Sequence, residues 1–344
     1  MQFDNSEAVN IRFQQKLKNK LSALDFLKDE NKRILAVLTL AALALILIFI
    51  LIGLTPKNFD FNFPRRVRKV LSMALTGASI AFSSVVFQTI TNNRVLTPSV
   101  LGLDSLYMFI QTLVVFFFGS ANIFAANKNI NFILCLVLMV GFSGVLYRIM
   151  FKGEEKNIYF LLLIGMIFGS FFGSLSSFMQ NLIDPNEFLI VQDKMFASFS
   201  NVNTSVLAIS IVIFIILGCA VYDDIKYLDV LSLGREQAIN LGVDYNRIVK
   251  KFMIVVAILV SISTALVGPI TFLGILVVNL AKEIMKSYKH IYWFAASGLI
   301  SIIALVGGQL LVERVFSFST NLSVIINFVG GCYFVYLLLK ESKA

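Results

Sequence analysis

Charge is scarce in this sequence, and so are the residue types that build most catalytic and metal sites. Only 14% of the 344 residues are charged, and the chain has one histidine and three cysteines. An ordinary soluble domain is about 25% charged and about half apolar, whereas this chain is 58% hydrophobic. That excess cannot be enclosed in a soluble core, so the composition excludes a soluble enzyme, a nucleic-acid-binding protein and a disulfide scaffold.

Several devices for chemistry are missing as well. Cys135, Cys219 and Cys332 lie in apolar stretches at no metal-ligand spacing, so we interpret them as packing residues and predict no metal site. The dipeptide Gly-Lys does not occur, which excludes the G-x-x-x-x-G-K-[ST] phosphate loop. Because no nucleophile, acid–base pair or metal cluster converges, we predict neither an enzyme nor a cofactor in this chain.

Long apolar runs are what the sequence has in abundance. After a polar segment over residues 1–33, there is room for roughly ten membrane spans of about 20 residues. The runs lie near 34–54, 70–90, 100–119, 130–149, 158–180, 204–221, 252–268, 270–285, 292–312 and 323–339. Only Gly268-Pro269 separates the seventh run from the eighth, so these are either two spans or one broken helix. The segment 185–200 is too acidic for a span and predicts a short helix.

The sequence therefore predicts an all-α integral membrane protein of about ten transmembrane helices. Residues 1–33 are expected to form a basic cytoplasmic tail that lies on the anionic lipid of the inner leaflet. Residues 34–344 form the transmembrane domain, with a polar cytoplasmic loop at about 222–251. Alternating spans place most of the 29 Lys and Arg residues, and both termini, on the cytoplasmic side.

One basic cluster breaks this charge rule. Lys57, Arg65, Arg66, Arg68 and Lys69 fall on the predicted outer side, before the second span. Such a cluster means that the topology is wrong, that the side chains extend to lipid headgroups, or that an acidic partner docks there.

The spans contain almost no ionisable residues that could couple transport to an ion gradient. Asp104 and Glu313 lie near span ends. Secondary transporters commonly carry titratable groups in mid-membrane, where their cost marks a function. The sequence therefore favours a pore-forming subunit whose energy comes from another chain, with an ion-coupled transporter as the alternative.

Small residues mark one face of the fifth span. Gly165, Gly169, Gly173 and Ser177 recur every fourth residue, which permits close approach of another helix. This stripe is either ordinary packing within the chain or a face at a subunit boundary or translocation path. Polar residues that could line such a path are Gln88, Ser170 and Ser174.

The longest polar insertion between spans runs from Tyr222 to Lys251. Gly234 and Gly242 bracket a segment that we expect to form a short helix. A rigid helix exposed to the cytoplasm can transmit force from a partner, whereas the simpler interpretation is a solvated loop. Thirty residues with apolar anchors favour the helix.

At this loop the sequence resembles a known family. The segment LGREQAINLGVD (233–244) is similar to the coupling segment L-G-x-x-x-A-x-x-L-G of BtuC/FecCD-type permeases. Three further segments agree in order: FNFPRRVRKVL with TGASIAFSSVVFQTITNNRVLTPSVLG (61–71 and 76–102), GPITFLGILVVNLAKE (268–283) and NFVGGCYFVYLLLK (327–340). The resemblance covers nearly everything after residue 60.

The resemblance implies a subunit of an ABC importer in a bacterial cytoplasmic membrane. Two permease chains would enclose a central path lined partly by the fifth and tenth spans. Two ATP-binding subunits, which hold ATP and Mg²⁺, would dock from the cytoplasm, and an extracytoplasmic substrate-binding lipoprotein would deliver the substrate. The coupling helix that the resemblance implies is carried by Leu233, Gly234, Arg235, Glu236, Ala238, Leu241 and Gly242.

The resemblance also gives the basic cluster a role. In this family outward-facing arginines meet acidic residues of the binding protein, and Arg65 and Arg314 match two such positions. Asn62 stands where the family has the first arginine of R-x-P-R, so we expect Arg66 and Arg68 to supply that contact.

The substrate follows from the branch that the sequence resembles. Val278-Asn279 replaces the common Pro-His and Lys282 replaces an arginine, which together with NNRVLTPSVLG is similar to the branch for ferric catecholate siderophores. That branch pairs two different permease chains, so a paralogue is the expected partner. A haem or cobalamin importer of the same fold is the alternative. Since no bare-iron site exists in the sequence, any iron would pass already chelated.

Overall fold

A computed structural model describes residues 29–151, 158–200 and 202–341. The predicted N-terminal tail lies outside the described residues as far as residue 28, and its last four residues belong to the first helix. The helices are α1 Glu30–Leu51, α2 Phe59–Ile90, α3 Leu103–Phe118, α4 Ile123–Ala126, α5 Lys128–Phe151, α6 Ile158–Gln180, α7 Pro185–Lys194, α8 Thr204–Val221, α9 Ile225–Leu231, α10 Arg235–Asn240, α11 Tyr245–Val267, α12 Leu273–Ile284, α13 His290–Arg314 and α14 Leu322–Glu341, with 3₁₀ turns at Pro98–Leu101 and Tyr222–Asp224. The described residues contain no β-strand.

Each of the ten apolar runs forms a helix of its own. Among the described residues, eight helices are long and apolar enough to cross a membrane, and α3 is a shorter apolar helix of 16 residues. The helix of the one remaining run, α12, has only 12 residues. Its length is about 18 Å at 1.5 Å per residue. The prediction of an all-helical multi-pass protein is confirmed.

The contacts of α1 define two ends of the molecule. At one end Glu30 forms an ion pair of 2.8 Å with Lys286, and at the other Arg314 donates to the carbonyl of Ile52 at 3.0 Å. We call the first the loop end, because Asp229 of the 222–251 loop bonds there to the N–H of His290. We call the second the arginine end. The ion pair Lys340–Glu283 places the end of α14 at the loop end too.

The Gly268-Pro269 step reverses the chain. Lys251, early in α11, forms an ion pair with Asp224 at the loop end, and Lys286, just after α12, also lies there. Since α11 begins and α12 ends at the same end, these are two helices and the broken-helix alternative is wrong. Gly268 has a φ of 100°, a conformation that favours glycine.

The centre of the fold is α2 and α11. Their apolar windows are each 72% buried, whereas the same windows of the other long helices are 11–44% buried. Two clusters of buried side chains pack around them, one with α3, α5 and α6 and the other with α12, α13 and α14. The remaining helices therefore keep apolar faces exposed to lipid or to partners.

The second span is longer than its apolar run predicts. α2 has 32 residues and begins at Phe59, with Pro64 inside it, so the polar stretch before residue 70 is helical. At 1.5 Å per residue the helix is about 48 Å long, against a hydrocarbon core of about 30 Å. Its basic first turns therefore project beyond the apolar layer.

The two predicted short helices are present but shorter than expected. α7 ends at Lys194 rather than residue 200, after Asp184 caps its first turn. α10 spans six residues within the segment bracketed by Gly234 and Gly242. At α10 the chain leaves helical geometry at Gly242, which has a φ of 81°.

Candidate functional site

A basic cavity of about 340 Å³ opens at the arginine end. Arg65, Arg68, Lys69 and Lys128 supply four of its lining residues, and none of the described residues that line it is acidic. Lys69 is held by Glu313 at 2.8 Å, behind the cavity. The positive charge of Arg65 and Arg68 makes this surface attractive to an anionic ligand or an acidic protein.

The arginines of this end differ in what they contact. The Arg65 guanidinium lies 4.9 Å over the ring of Phe61, on an exposed side chain. Arg68 donates to the hydroxyl of Thr204 at 2.9 Å, which ties α2 to α8. Only Arg65 and Arg68 of the four predicted docking arginines line the basic cavity.

Arg66 and Arg314 are used within the chain. Arg66 donates to the carbonyl of Phe49 at 3.3 Å, of Ile50 at 2.9 Å and of Ile52. Arg314 donates to the same Ile52 carbonyl. The last carbonyls of a helix have no partner inside it, so the two guanidinium groups cap α1. The docking role of Arg66 and Arg314 stays a prediction.

A polar cluster that the sequence did not reveal lies beside the basic cavity. Lys194 donates to Gln111 at 2.7 Å, and Gln111 exchanges hydrogen bonds with Asn131. Desolvation by burial lowers the pKa of Lys194. Lys194 and Asn131 line a second cavity of about 300 Å³, which shares Lys128 with the basic cavity. The polar surface at the arginine end therefore extends inward.

The predicted coupling segment forms a compact turn-helix-turn at the loop end. Gly234 has a φ of 101° and Gly242 a φ of 81°. The N–H of Val243 bonds to the carbonyl of Ala238 at 3.0 Å, a helix end of the kind that glycine favours. Ala238 is fully buried and anchors α10. The segment therefore contains a helix that is anchored on the protein, and the solvated-loop alternative is wrong.

Apolar side chains of this segment point away from the protein. Leu233 is 58% exposed, Ile239 48% and Leu241 63%, and Arg235 and Glu236 are exposed beside them. The segment lies outside the apolar spans, so these three side chains form an apolar surface with charged neighbours. Such a surface is typical of a protein interface.

A hydrogen-bonded junction connects this loop to the transmembrane core. Asp229 accepts from the backbone N–H of His290 at 2.8 Å and contacts its Nδ1 at 2.6 Å. Nε2 of His290 lies 2.8 Å from the hydroxyl of Thr89. The single histidine is fully buried and joins α9, α13 and α2, so displacement of the loop bears directly on two spans.

The small-residue stripe of α6 divides into two parts. A Cβ built on Gly165 would lie 2.8 Å from Cα of Leu101, and one built on Gly169 3.2 Å from Cα of Gly102. These two glycines pack against the chain's own 3₁₀ turn. A Cβ on Gly173 would meet no atom within 4 Å. The exposed face carries Ser170, Ser174 and Ser177.

Gln88 lies inside the chain near the loop end. It is 2% exposed, and its Oε1 accepts from Lys282 at 2.9 Å. Its role as a path-lining residue stays a prediction, as do the interface roles of the α6 residues.

The comparison with family models decides the family. The model described as the FecCD transport family matches residues 34–340. The chain belongs to the FecCD transport family. It is a multi-pass membrane protein, and its relatives in the family are permeases.

Three curated relatives of this FecCD chain carry the same substrate in their names. Petrobactin import system permease protein YclO of Bacillus subtilis is 64% identical over 89% of this chain and 97% of the relative. Petrobactin import system permease protein FatC of Bacillus anthracis is 38% identical over 80% of this chain and 78% of the relative. The FatD protein of the same organism and system is 23% identical over 83% of each chain.

A solved structure shows the same fold. An inward-facing conformation of a metal-chelate type ABC transporter matches with a TM-score of 0.77, covering 90% of this chain and 99% of that one at 22% identity. The BtuC-like fold implied by the motifs is confirmed for this FecCD chain.

We expect the same substitution to destabilise the chain at Arg66 and to leave its stability nearly unchanged at the adjacent Arg65. Arg66→Gln removes charge-assisted bonds to α1 carbonyls and should lower the unfolding free energy by about 1.5–3 kcal/mol. Arg65→Gln should leave stability within about 0.5 kcal/mol, because its guanidinium rests on an exposed ring. Thermal unfolding of the purified chain measures both, and equal losses would contradict the capping role.

Proposed function

We propose that the chain is a permease subunit of an ABC importer that carries a ferric siderophore of the petrobactin class across a bacterial cytoplasmic membrane. The observation that carries this proposal is the 64% identity to YclO over nearly the whole of both chains. The substrate named for FatC and FatD is the same. A haem or cobalamin importer of the same fold remains the alternative.

We infer that this chain pairs with a different permease chain. Two petrobactin permeases, FatC and FatD, occur in one organism at unequal identity to this chain. The exposed face of α6 and the apolar side chains of α14, with Phe328 73% exposed, supply surface for such a partner. The substrate path then runs between the two permeases.

The energy source in this proposal is a pair of separate ATP-binding subunits that hold ATP and Mg²⁺. The surface formed by Leu233, Ile239 and Leu241 supports docking of one of them at the loop end, because apolar side chains at that exposure gain by burial. Closure of the ATPase pair would push α10. The Asp229–His290–Thr89 junction would pass that displacement to α13 and α2.

In this proposal an extracytoplasmic substrate-binding lipoprotein delivers the substrate and docks at the arginine end. The basic cavity with Arg65 and Arg68 supports this placement, because its positive charge would attract acidic residues of the binding protein. The same positive surface suits an anionic chelate during transfer. Charge pairing of this kind sets the rate and register of docking more than its strength.

Reconstitution tests the proposal. The chain, its partner permease and their ATPases are placed in liposomes, with the binding protein outside and ATP inside. We expect uptake of radio-iron as ferric petrobactin to require ATP and the binding protein, and to exceed uptake of haem or cobalamin. Preferred haem or cobalamin uptake would reject the substrate, and ion-driven uptake by this chain alone would reject the class.

A further inference from the structure

A cavity at the loop end is separate from both the basic cavity and the coupling surface. It measures about 580 Å³ and lies among the end of α2, α12, α13 and α14. That volume is in the range of small-molecule sites, about 300–1,000 Å³. We call it the loop-end cavity. The lining residues used below are Gln88, Arg94, Ser232, Lys282, Trp293 and Tyr333, together with the ion pair of Lys340 and Glu283.

Three residues that line this cavity each carry a hydrogen-bond donor without a partner. Nε2 of Gln88, Nε1 of Trp293 and the hydroxyl of Tyr333 are buried and have no hydrogen-bond partner in the described part of the chain. Gln88 is 2% exposed. A buried donor without a partner costs about 1–3 kcal/mol, so three on one cavity indicate that an acceptor-rich ligand completes them.

The excess of positive charge at the cavity also favours an anionic ligand. Lys282 is half-buried, donates to Gln88 at 2.9 Å and lies 5.2 Å from the ring centre of Trp293. Neither Lys282 nor Arg94 forms an ion pair with any described residue. The third cation, Lys340, is neutralised by Glu283 at 3.0 Å. Two positive groups therefore face the cavity without a carboxylate to balance them.

The position of the cavity narrows the ligand chemistry. It lies where the spans end at the loop end, with a tryptophan and a tyrosine in its wall, and these residues favour the membrane interface. Basic pockets between spans on the cytoplasmic side bind phosphate-bearing headgroups. We propose that the loop-end cavity binds a phosphate-type oxyanion, held by Lys282 and Arg94 and by the donors of Gln88, Trp293 and Tyr333.

Occupancy of this site bears on coupling. Ser232, which immediately precedes the exposed Leu233, lines the cavity, and Trp293 packs on His290 with ring centres 4.7 Å apart. The bound oxyanion would therefore brace the loop against α12 and α13. This inference rests on the contacts of the cavity alone and is independent of the transported substrate.

The single tryptophan of the chain makes the site directly measurable. Trp293 is the one tryptophan in the sequence, so the intrinsic fluorescence of the purified full chain reports on the cavity wall. Inorganic phosphate, short-chain phosphatidylglycerol and short-chain phosphatidylcholine are titrated separately at constant ionic strength. We expect a saturable change in Trp293 emission with phosphatidylglycerol or phosphate.

Variants decide whether the response comes from this site. Lys282→Gln should weaken binding about tenfold or more, because one charge-assisted hydrogen bond is lost, and Arg94→Gln should act in the same direction. Lys286→Gln is the matched control, since Lys286 pairs with Glu30 at the same end and does not line the cavity.

Each outcome separates the sources of the oxyanion. A response to phosphatidylglycerol alone identifies a lipid headgroup, and a response to phosphate as well identifies a soluble oxyanion. The absence of a saturable response to both inorganic phosphate and phosphatidylglycerol overturns the proposal. An equal response in Lys282→Gln, Arg94→Gln and the unmodified chain also overturns it, and folding of each variant is checked by its thermal unfolding.

Discussion

Replacing Leu233 and Leu241 together with aspartate is expected to abolish transport while leaving the permease folded. The two side chains are 58% and 63% exposed, so the chain alone loses little when they change. On an ATPase each would bury apolar surface worth about 1.5–3 kcal/mol, and the new carboxylates would have to be desolvated. The combined loss corresponds to at least a hundredfold weaker docking.

Co-purification of the ATPase with a tagged permease measures this docking, and ATP-driven uptake measures its consequence. Asn240→Asp is the control, because it places a new carboxylate at the end of α10 without removing an apolar side chain. Retention of both co-purification and uptake in the double aspartate variant would place the ATPase contact elsewhere.

Gly165→Ala is expected to lower the unfolding free energy by about 1–3 kcal/mol, as overpacking of a filled interior does. Its Cβ would lie 2.8 Å from Cα of Leu101 and 2.9 Å from the carbonyl oxygen of Val100, which are backbone atoms that cannot rotate aside. Gly173→Ala lies two helical turns further along α6, where a Cβ meets no atom within 4 Å. Its stability should stay unchanged or rise by up to about 1 kcal/mol, because alanine is the better helix former where nothing obstructs its Cβ.

Thermal unfolding of the two variants in the same detergent measures the difference. Equal stabilities would show that the 3₁₀ turn and α6 are less closely packed than the structure has them. Uptake by the assembled transporter adds a second result: a loss in Gly173→Ala at normal stability would place that part of the stripe against the second permease.

The helices were predictable from the sequence because an apolar run long enough to span a membrane is expected to be helical there. All ten runs became helices, and the Gly268-Pro269 pair ended α11 as a residue at positive φ followed by proline should. The start of α2 was not predictable in this way. Hydropathy registers the apolar layer, whereas Phe59 to Lys69 is helical outside that layer.

The use of each charged residue at the ends could not be predicted, since it depends on contacts between distant parts of the chain. Lys69 forms its hydrogen bond with Glu313, 244 positions away in the sequence, and Arg314 forms one with Ile52, 262 positions away. A pattern of local spacing contains no signal for either. The coupling segment was predictable because its glycines and its apolar residues act within one short turn.

The attachment of α1 has a consequence for the lipid around the protein. Only 11% of its apolar window is buried, yet Glu30–Lys286 holds one end and Arg66 with Arg314 holds the other. A helix held at both ends tilts less readily when the bilayer thickness changes. At 22 residues, α1 is about 33 Å long, so hydrophobic mismatch falls on the surrounding lipid and on these polar contacts.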